Sequence, residues 1–592
     1  MKVLLVAGTP AEHAVDVPGR EGFKDFADQS YNYAIGLLRA CALESSGRND
    51  LTIDLYDIPL HRAAEELTPE QLQTILDHKP DVIGFSCYAW DVHIFVKAAW
   101  QLKRSLKGMK VLLGGPSVSS QARRLLEAYP FLDIIVRGEG ELPFTQMCSQ
   151  GFEGLESVQG ISYRAPDGAI VEVGEPSFVP DLTVLPSAYL SGHFRPDSPS
   201  LLIEPSRGCK FRCSFCSWSA RGGGLRRAGR ERLLGEVRWA LENGYRFVNF
   251  CDTSINHDTE LLEEFCQTLL QADPEHGLSY SVFIKQDLLD EEQFKILERM
   301  RFEEIILGLE SIHPEPLKAC GKRSLDIPLF EERLGRLGRA GQKVTLSFIS
   351  GLPGDSVPKF AQTLDYLEDL QARMPDVVNI LCCFWLSVLP GTRFEAKAKE
   401  YGFKILPRGT PYILSSSEHS TADLVEMSRM LVERCERNEH FRCEEIHRDA
   451  AEGRFPPRAT TASTSPGGRG LGQATAQGGA PSAVGSGAGF ATALEDFVKR
   501  VREHALAMGV SAVKWDGKGV GDRPGVLTLE RPHGAVDVIV EQRNEQKACF
   551  VRAGLFNLYY HAKPGAELPG PEIERLMQLV ASLAHGPHGR DK

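Results

Sequence analysis

The run Arg207-Gly-Cys-Lys-Phe-Arg-Cys-Ser-Phe-Cys216 puts Cys209, Cys213 and Cys216 within eight residues of a 592-residue chain. Gly208, Ser214 and Ser217 are small enough to let such a stretch close into a tight loop. Three thiols at this density point to metal chemistry. A structural zinc ion takes four protein ligands, and neither His nor Cys occurs between Cys216 and Cys251, which itself lies in a segment that reads as a buried strand. A redox disulfide uses two cysteines and leaves the third without a role. A 4Fe–4S cluster held by three thiolates accounts for all of them and leaves one iron open to a further ligand.

The segments around this loop alternate between strand-like and helix-like patterns. Residues 200–206 (SLLIEPS) run straight into it, and apolar runs follow at 247–256, 278–287, 303–311, 344–355 and 377–391, each after a helical stretch. That rhythm over 198–405 predicts a full or partial (β/α) barrel, whose catalytic face is the C-terminal end of its strands. Residues 1–150 show the same alternation, with runs at 2–8, 50–58, 81–88, 110–116 and 133–141. They predict a doubly wound, Rossmann-like parallel sheet with its ligand beyond the strand ends. Residues 151–197 read as a connector with a hairpin turning at Asp167-Gly168. Residues 406–458 read as a polar helical extension. Residues 459–490, rich in Gly, Ser, Ala and Pro without periodicity, read as a flexible linker. The remainder, 491–592, reads as a small α+β module: a helix over 494–509, three or four strands and a closing helix over 572–584.

Composition narrows the function classes. Apolar content of 42% and charged content of 25% are those of a globular protein. A net charge of −12 opposes binding to a polyanion, so no nucleic-acid partner is expected. The basic run RGGGLRRAGR (221–230) is read as a solvated loop. No secretory signal and no apolar stretch of membrane-spanning length is evident, which predicts a cytoplasmic chain without a membrane partner. The other cysteines are scattered through apolar segments and are read as small core residues. Cys435, His440, Cys443 and His447 fall in one helical pattern, the last three on a single face, and are read as a half-buried helix face.

With the cysteine triplet and Phe215 before its last member, the chain resembles the radical SAM enzymes that carry a cobalamin (B12)-binding domain. The segments FCDTSIN (250–256), GLES (308–311), GLPGD (351–355) and VLPGT (388–392) resemble strand ends of that family, and GFSCY, LLGGP and RGEGE in the first 150 residues resemble its corrin domain. The resemblance covers about 400 residues and leaves the last hundred outside it. It implies that Cys209, Cys213 and Cys216 hold the catalytic cluster and that the backbone at Phe215 meets the adenine of S-adenosyl-L-methionine (SAM). Glu310 would hold the amino or ribose end of SAM, Gly351 would belong to a glycine motif on the same face, and Asp252 and Gln286 would line the SAM or substrate pocket. Cobalamin would rest on Ser86, Tyr88, Gly114, Gly115, Gly138 and Glu139. The loop GTPAEHA (8–14) departs from the D-x-H-x-x-G pattern, so His13 is not expected to ligate cobalt.

The activity so implied is methyl transfer to an unactivated carbon through a 5′-deoxyadenosyl radical and methylcobalamin. The substrate would be a small molecule or peptide, and the electron donor external, of flavodoxin or ferredoxin type. Ring closure or rearrangement without net methylation, and a non-catalytic cobalamin- or cluster-binding sensor, are the competing readings. A tRNA methylthiotransferase would need three further N-terminal cysteines, whereas Cys41, Cys87 and Cys148 occupy strand and helix positions.

Overall fold

The structure, a computed structural model, describes residues 1–10, 31–60, 64–218, 224–406 and 409–455 together with five strands between 512 and 560. His13, the linker expected over 459–490 and the two helices expected in 491–592 lie outside the described residues.

Residues 1–123, 132–163 and 171–459 form one compact unit holding two sheets. The first sheet contains β1 (Lys2–Pro10), β2 (Thr52–Leu60), β3 (Val82–Ser86), β4 (Lys110–Gly114), β5 (Ile134–Val136), β6 (Ile161–Arg164) and β7 (Ile170–Val173), in the order β2-β1-β3-β4-β5-β6-β7. The pairs from β2 through β5 are parallel, and β6 joins β5 antiparallel. Val3, Leu4, Leu5 and Val6 of β1 are all buried, as a strand covered on both faces must be. Each such side chain contributes about 1.5–3 kcal/mol by leaving water. The strand order reverses between β1 and β3, which opens a crevice at their C-terminal ends. Caps set where the intervening helices begin. Asn32 accepts from the Ile35 N–H ahead of helix Tyr33–Ser45, and Thr68 and Gln71 form a reciprocal box ahead of helix Pro69–His78.

The second sheet is parallel throughout. It runs β8 (Ser200–Ile203), β9 (Phe247–Phe250), β10 (Ser279–Phe283), β11 (Glu304–Glu310), β12 (Val344–Ser350), β13 (Val378–Trp385) and β14 (Phe441–Cys443), with neighbours in strict sequence order. β8 and β14 are its edges, so the expected barrel is a partial one. Its helices bury regular faces: Ser356 caps helix Val357–Arg373, which buries Phe360, Leu364, Leu367 and Leu370.

The extension after 405 is less helical than its composition suggested. It contains a short strand (Ile413–Ser415), helix Thr421–Arg437, β14 and helix Glu445–Ala451. Cys435, His440, Cys443 and His447 therefore do not share one helix. Cys443 pairs in register with Cys383, the His440 ring bonds to the Asn379 carbonyl at 2.7 Å, and His447 is fully buried against the Ser428 hydroxyl at 3.0 Å. β14 carries no periodic signal because three residues are too few to show one.

A second unit comprises residues 124–131, 164–170 and 460–592. Its strands Ala512–Trp515, Gly525–Arg531, Gly534–Arg543, Ala548–Ala553 and Phe556–Tyr560 form an antiparallel meander, five strands where the sequence suggested three or four. Among the described residues no helix is long and apolar enough to cross a membrane.

Candidate functional site

The cysteine loop leaves the C-terminal end of β8 and is closed at its base by a short antiparallel pairing of Ser206–Arg207 with Arg226–Arg227. Gly208 has φ +96°, and a Cβ there would lie 1.9 Å from the Gly224 carbonyl oxygen, so only glycine lets the two arms of the loop meet. Thr253, just past β9, donates its hydroxyl to the Gly208 carbonyl at 2.9 Å. Within the loop the Phe211 N–H donates to Cys209 Sγ at 3.5 Å, and the Cys216 N–H to the Cys213 carbonyl at 3.2 Å. The Ser214 N–H donates to the Cys320 carbonyl at 2.9 Å, tying the loop to the segment after β11.

Cys209, Cys213 and Cys216 are each half-buried, whereas Cys266, Cys320 and Cys383 are sealed in the core. Burial pushes the Cys213 thiol up, and Lys322 and Lys285 oppose that shift. Among the described residues no three His, Cys, Asp or Glu side chains are grouped around a single point. Three half-buried thiols on one loop, with Lys322 and Lys285 near Cys213, suit an anionic cluster that takes one thiolate per iron. Phe215 lies half-buried against the core of the second sheet.

Glu310 ends β11 at φ +63°, where the register with β12 shifts between Gly308 and Glu310. A non-glycine residue in this conformation is strained, and the irregularity re-aims the side chain. Its carboxylate is buried and 2.5 Å from Lys322 Nζ, which also donates to the Gly308 carbonyl at 2.7 Å. Burial disfavours the Lys322 ammonium, yet Glu310 and Cys213 hold its pKa above the ordinary lysine value. Sequence reasoning missed Lys322; it follows Cys320-Gly321 in an irregular stretch with no motif to mark it.

The remaining expected residues divide between separate surroundings. Gln286 accepts from Arg333 at 3.1 Å and lines a cleft of about 320 Å³ with Gly308 and Lys322. Asp252 lines a different cleft, of about 520 Å³, with Ser206, Arg227, His257 and Glu264. Burial pushes the Asp252 carboxyl up to about 6, although the Ser254 N–H donates to it. Gly351 has φ +80°, and a Cβ there would strike Ile413 and Leu424 at 2.9 Å, so it serves close packing of the extension.

On the first sheet, Ser86 and Gly114 end β3 and β4 side by side. The Cys87 N–H donates to the Gly114 carbonyl at 2.7 Å, and a Cβ on Gly115 (φ +107°) would lie 2.5 Å from the Cys87 carbonyl oxygen. Among the described residues a Cβ on Gly114 would meet only Val136, at 3.9 Å, so none of them covers this shelf. Tyr88 stacks on Trp90 with ring centres 4.7 Å apart, and the Trp90 indole N–H donates to the Gly8 carbonyl across the β1–β3 crevice. An open glycine shelf flanked by a flat aromatic pair fits a broad planar group such as a corrin.

Gly138 and Glu139 are placed elsewhere than expected. Gly138 bridges Ser177, whose carbonyl oxygen would lie 2.1 Å from a Cβ there, and the Glu139 carboxylate is held by Arg226 and Arg207. Arg226 is accordingly buried, not solvated as the basic run suggested, and Arg227 pairs with Glu264 at 2.6 Å.

The fold and these two strand-end sites together define the class. Residues 40–147 match the model of the B12 binding domain and residues 203–367 that of the radical SAM superfamily, so the chain contains a domain of each kind. Within that class it is similar to the cobalamin-dependent radical SAM methyltransferase TokK of Streptomyces tokunonensis, 25% identical over 56% of this chain and 50% of the relative. Its fold matches the methyltransferase TsrM of Kitasatospora setae, solved with cobalamin and a 4Fe–4S cluster, at TM-score 0.51 and 19% identity, covering 68% of this chain and 79% of that one. It also matches the cobalamin-dependent radical enzyme OxsB, solved with aqua-cobalamin, at TM-score 0.53 and 16% identity over 73% and 66%. The chain spans about half the length of the first curated relatives it matches.

Proposed function

We propose that the chain is a cobalamin-dependent radical SAM methyltransferase acting on an unactivated carbon of a small molecule or peptide. One observation carries this reading: a loop of three half-buried thiols at the strand ends of a partial barrel lies in the same compact unit as a sheet whose β3 and β4 ends form an open glycine shelf. When bound, the cluster supplies one electron to split SAM and cobalamin supplies a carrier for its methyl group. The protein's part is to orient these groups and exclude water. Cys209, Cys213 and Cys216 would hold the cluster, leaving one iron for the amino and carboxylate groups of SAM. Glu310, fixed by Lys322, would accept from the SAM ammonium or ribose, and Phe215 would offer its backbone to the adenine. Ser86, Tyr88, Gly114 and Gly115 would carry the corrin.

In domain terms, residues 1–150 bind cobalamin, 198–405 carry the radical chemistry and 151–197 connect them. The electron comes from a cytoplasmic flavodoxin- or ferredoxin-type donor. Anaerobic reconstitution with iron, sulfide, hydroxocobalamin and SAM, followed by absorbance and mass spectrometry under reductant, tests the reading. Both 5′-deoxyadenosine and S-adenosylhomocysteine are expected. The first product alone favours ring closure or rearrangement; SAM bound but never cleaved favours a sensor.

A further inference from the structure

Glu139 stands just beyond β5, on the first sheet, yet its partners lie at the base of the cysteine loop. Its two oxygens accept from Arg226 at 2.8 and 2.9 Å in a bidentate fork, and Oε2 also accepts from the Val179 N–H. Arg207 approaches Glu139 Oε1 at 3.5 Å and is held further by Glu141 at 2.9 Å and Glu204 at 2.6 Å. The side chains of Arg226, Glu139 and Arg207 are only 8, 10 and 14% exposed, so solvent screens these charges little. Arg207 and Arg226 are direct cross-strand partners. Two like charges in that position repel, and burial sharpens the repulsion. Among the described residues Arg226 makes its ion pair with Glu139, its other acceptor being the Val179 carbonyl. Without that carboxylate, Arg226 would be a buried cation without its counter-ion, facing Arg207, which keeps Glu141 and Glu204, across the base of the loop.

We propose that Glu139 is a positioning residue that fastens both ends of the cysteine loop to the corrin-type sheet and thereby fixes the separation of the two cofactor sites. Arg207 directly precedes Gly208-Cys209, and Arg226 lies on the arm that returns from the thiols, so one carboxylate beside the first sheet governs where the loop sits. A radical formed at one site and a methyl carrier at the other must meet a single substrate atom, and displacement by one ångström is costly in such geometry. The purpose assigned to the clamp rests on the proposed function; the clamp itself does not.

Hydrogen exchange on the full, reduced chain without added cofactors tests the clamp directly. Glu139→Gln keeps the shape and removes the charge; its amides over 207–216 are expected to exchange about 10-fold faster while β1 and β3 stay unchanged. Glu139→Asp keeps the charge but withdraws it by one methylene, and should give a smaller acceleration of about 3-fold. In chain loaded with iron, sulfide and hydroxocobalamin, the dipolar distance distribution between the reduced cluster and cob(II)alamin should broaden about twofold in Glu139→Gln. Unchanged exchange in the loop, or acceleration spread equally over the first sheet, overturns the proposal, as does an unchanged distance distribution. If the unmodified chain binds both cofactors and cleaves no SAM, the functional reading fails while the exchange result still decides the clamp.

Discussion

Lys322→Met isolates the buried pair at the end of β11. With Nζ 2.5 Å from Glu310 Oε1 and side chains 13 and 7% exposed, the attraction is about 6–7 kcal/mol at an effective dielectric of 20. Desolvation of two ions costs several kcal/mol each, so the pair as a whole is close to neutral for stability. Removing only the lysine leaves an uncompensated buried carboxylate, which costs about 3–5 kcal/mol. For the sheet that contains it, this corresponds to a fall of about 10 °C in melting temperature. The double variant Lys322→Met/Glu310→Gln, with no charge left unpaired, should return to within about 1.5 kcal/mol of the parent. Calorimetry of the metal-free, reduced chain at neutral pH measures all four corners of the cycle. If the double variant melts as low as the single one, the two groups are not coupled and Glu310 is held by something else.

Three further outcomes follow from the same geometry. Gly208→Ala should lower iron incorporation on reconstitution by about 10-fold or more, because its Cβ would lie 1.9 Å from a backbone oxygen at φ +96°; iron and sulfide analysis checks this. Gly115→Ala should separate Cys87 from Gly114 and weaken hydroxocobalamin binding by about 10-fold, read by equilibrium dialysis, while iron content is unaffected. Burial pushes the Asp355 carboxyl up to about 6. The folded state therefore binds its proton more tightly than the unfolded chain does. Its ionisation opposes folding increasingly as pH rises from the unfolded value near 4 to 6, and fully above that. Asp355→Asn should thus raise the melting temperature at pH 7.5, by an amount equivalent to about 2–3 kcal/mol, and leave it nearly unchanged at pH 4; a pH series of thermal melts decides.

What could be read before folding was whatever lies close together along the chain. The thiols at 209, 213 and 216 announce a metal loop by spacing alone, and the glycine beside them marks its tight turn. The apolar runs ending at Ser86 and Gly114 place two strand ends, and two parallel strand ends side by side already make a shelf. Glu310 was visible only through the short motif around it, and its strained backbone and its lysine were not. Arg226 looked like a member of a solvated basic run because its partner, Glu139, lies 87 residues away. Cys443 and His447 looked helical because the strand that separates them from Cys435 has only three residues and exists through its register with β13.

By itself, then, the order of residues determined the three-thiol loop and two largely parallel sheets, since loop spacing and strand or helix period are local properties of a chain; the cofactor of the first sheet was legible only through its resemblance to a known family. The tertiary structure alone decided that the second sheet stays open, that Lys322 neutralises Glu310, and that Glu139 pairs with the arginines at the base of the cysteine loop. Those outcomes depend on charges and backbone groups brought together from distant segments, where burial makes an unpaired ion costly enough to dictate its neighbour.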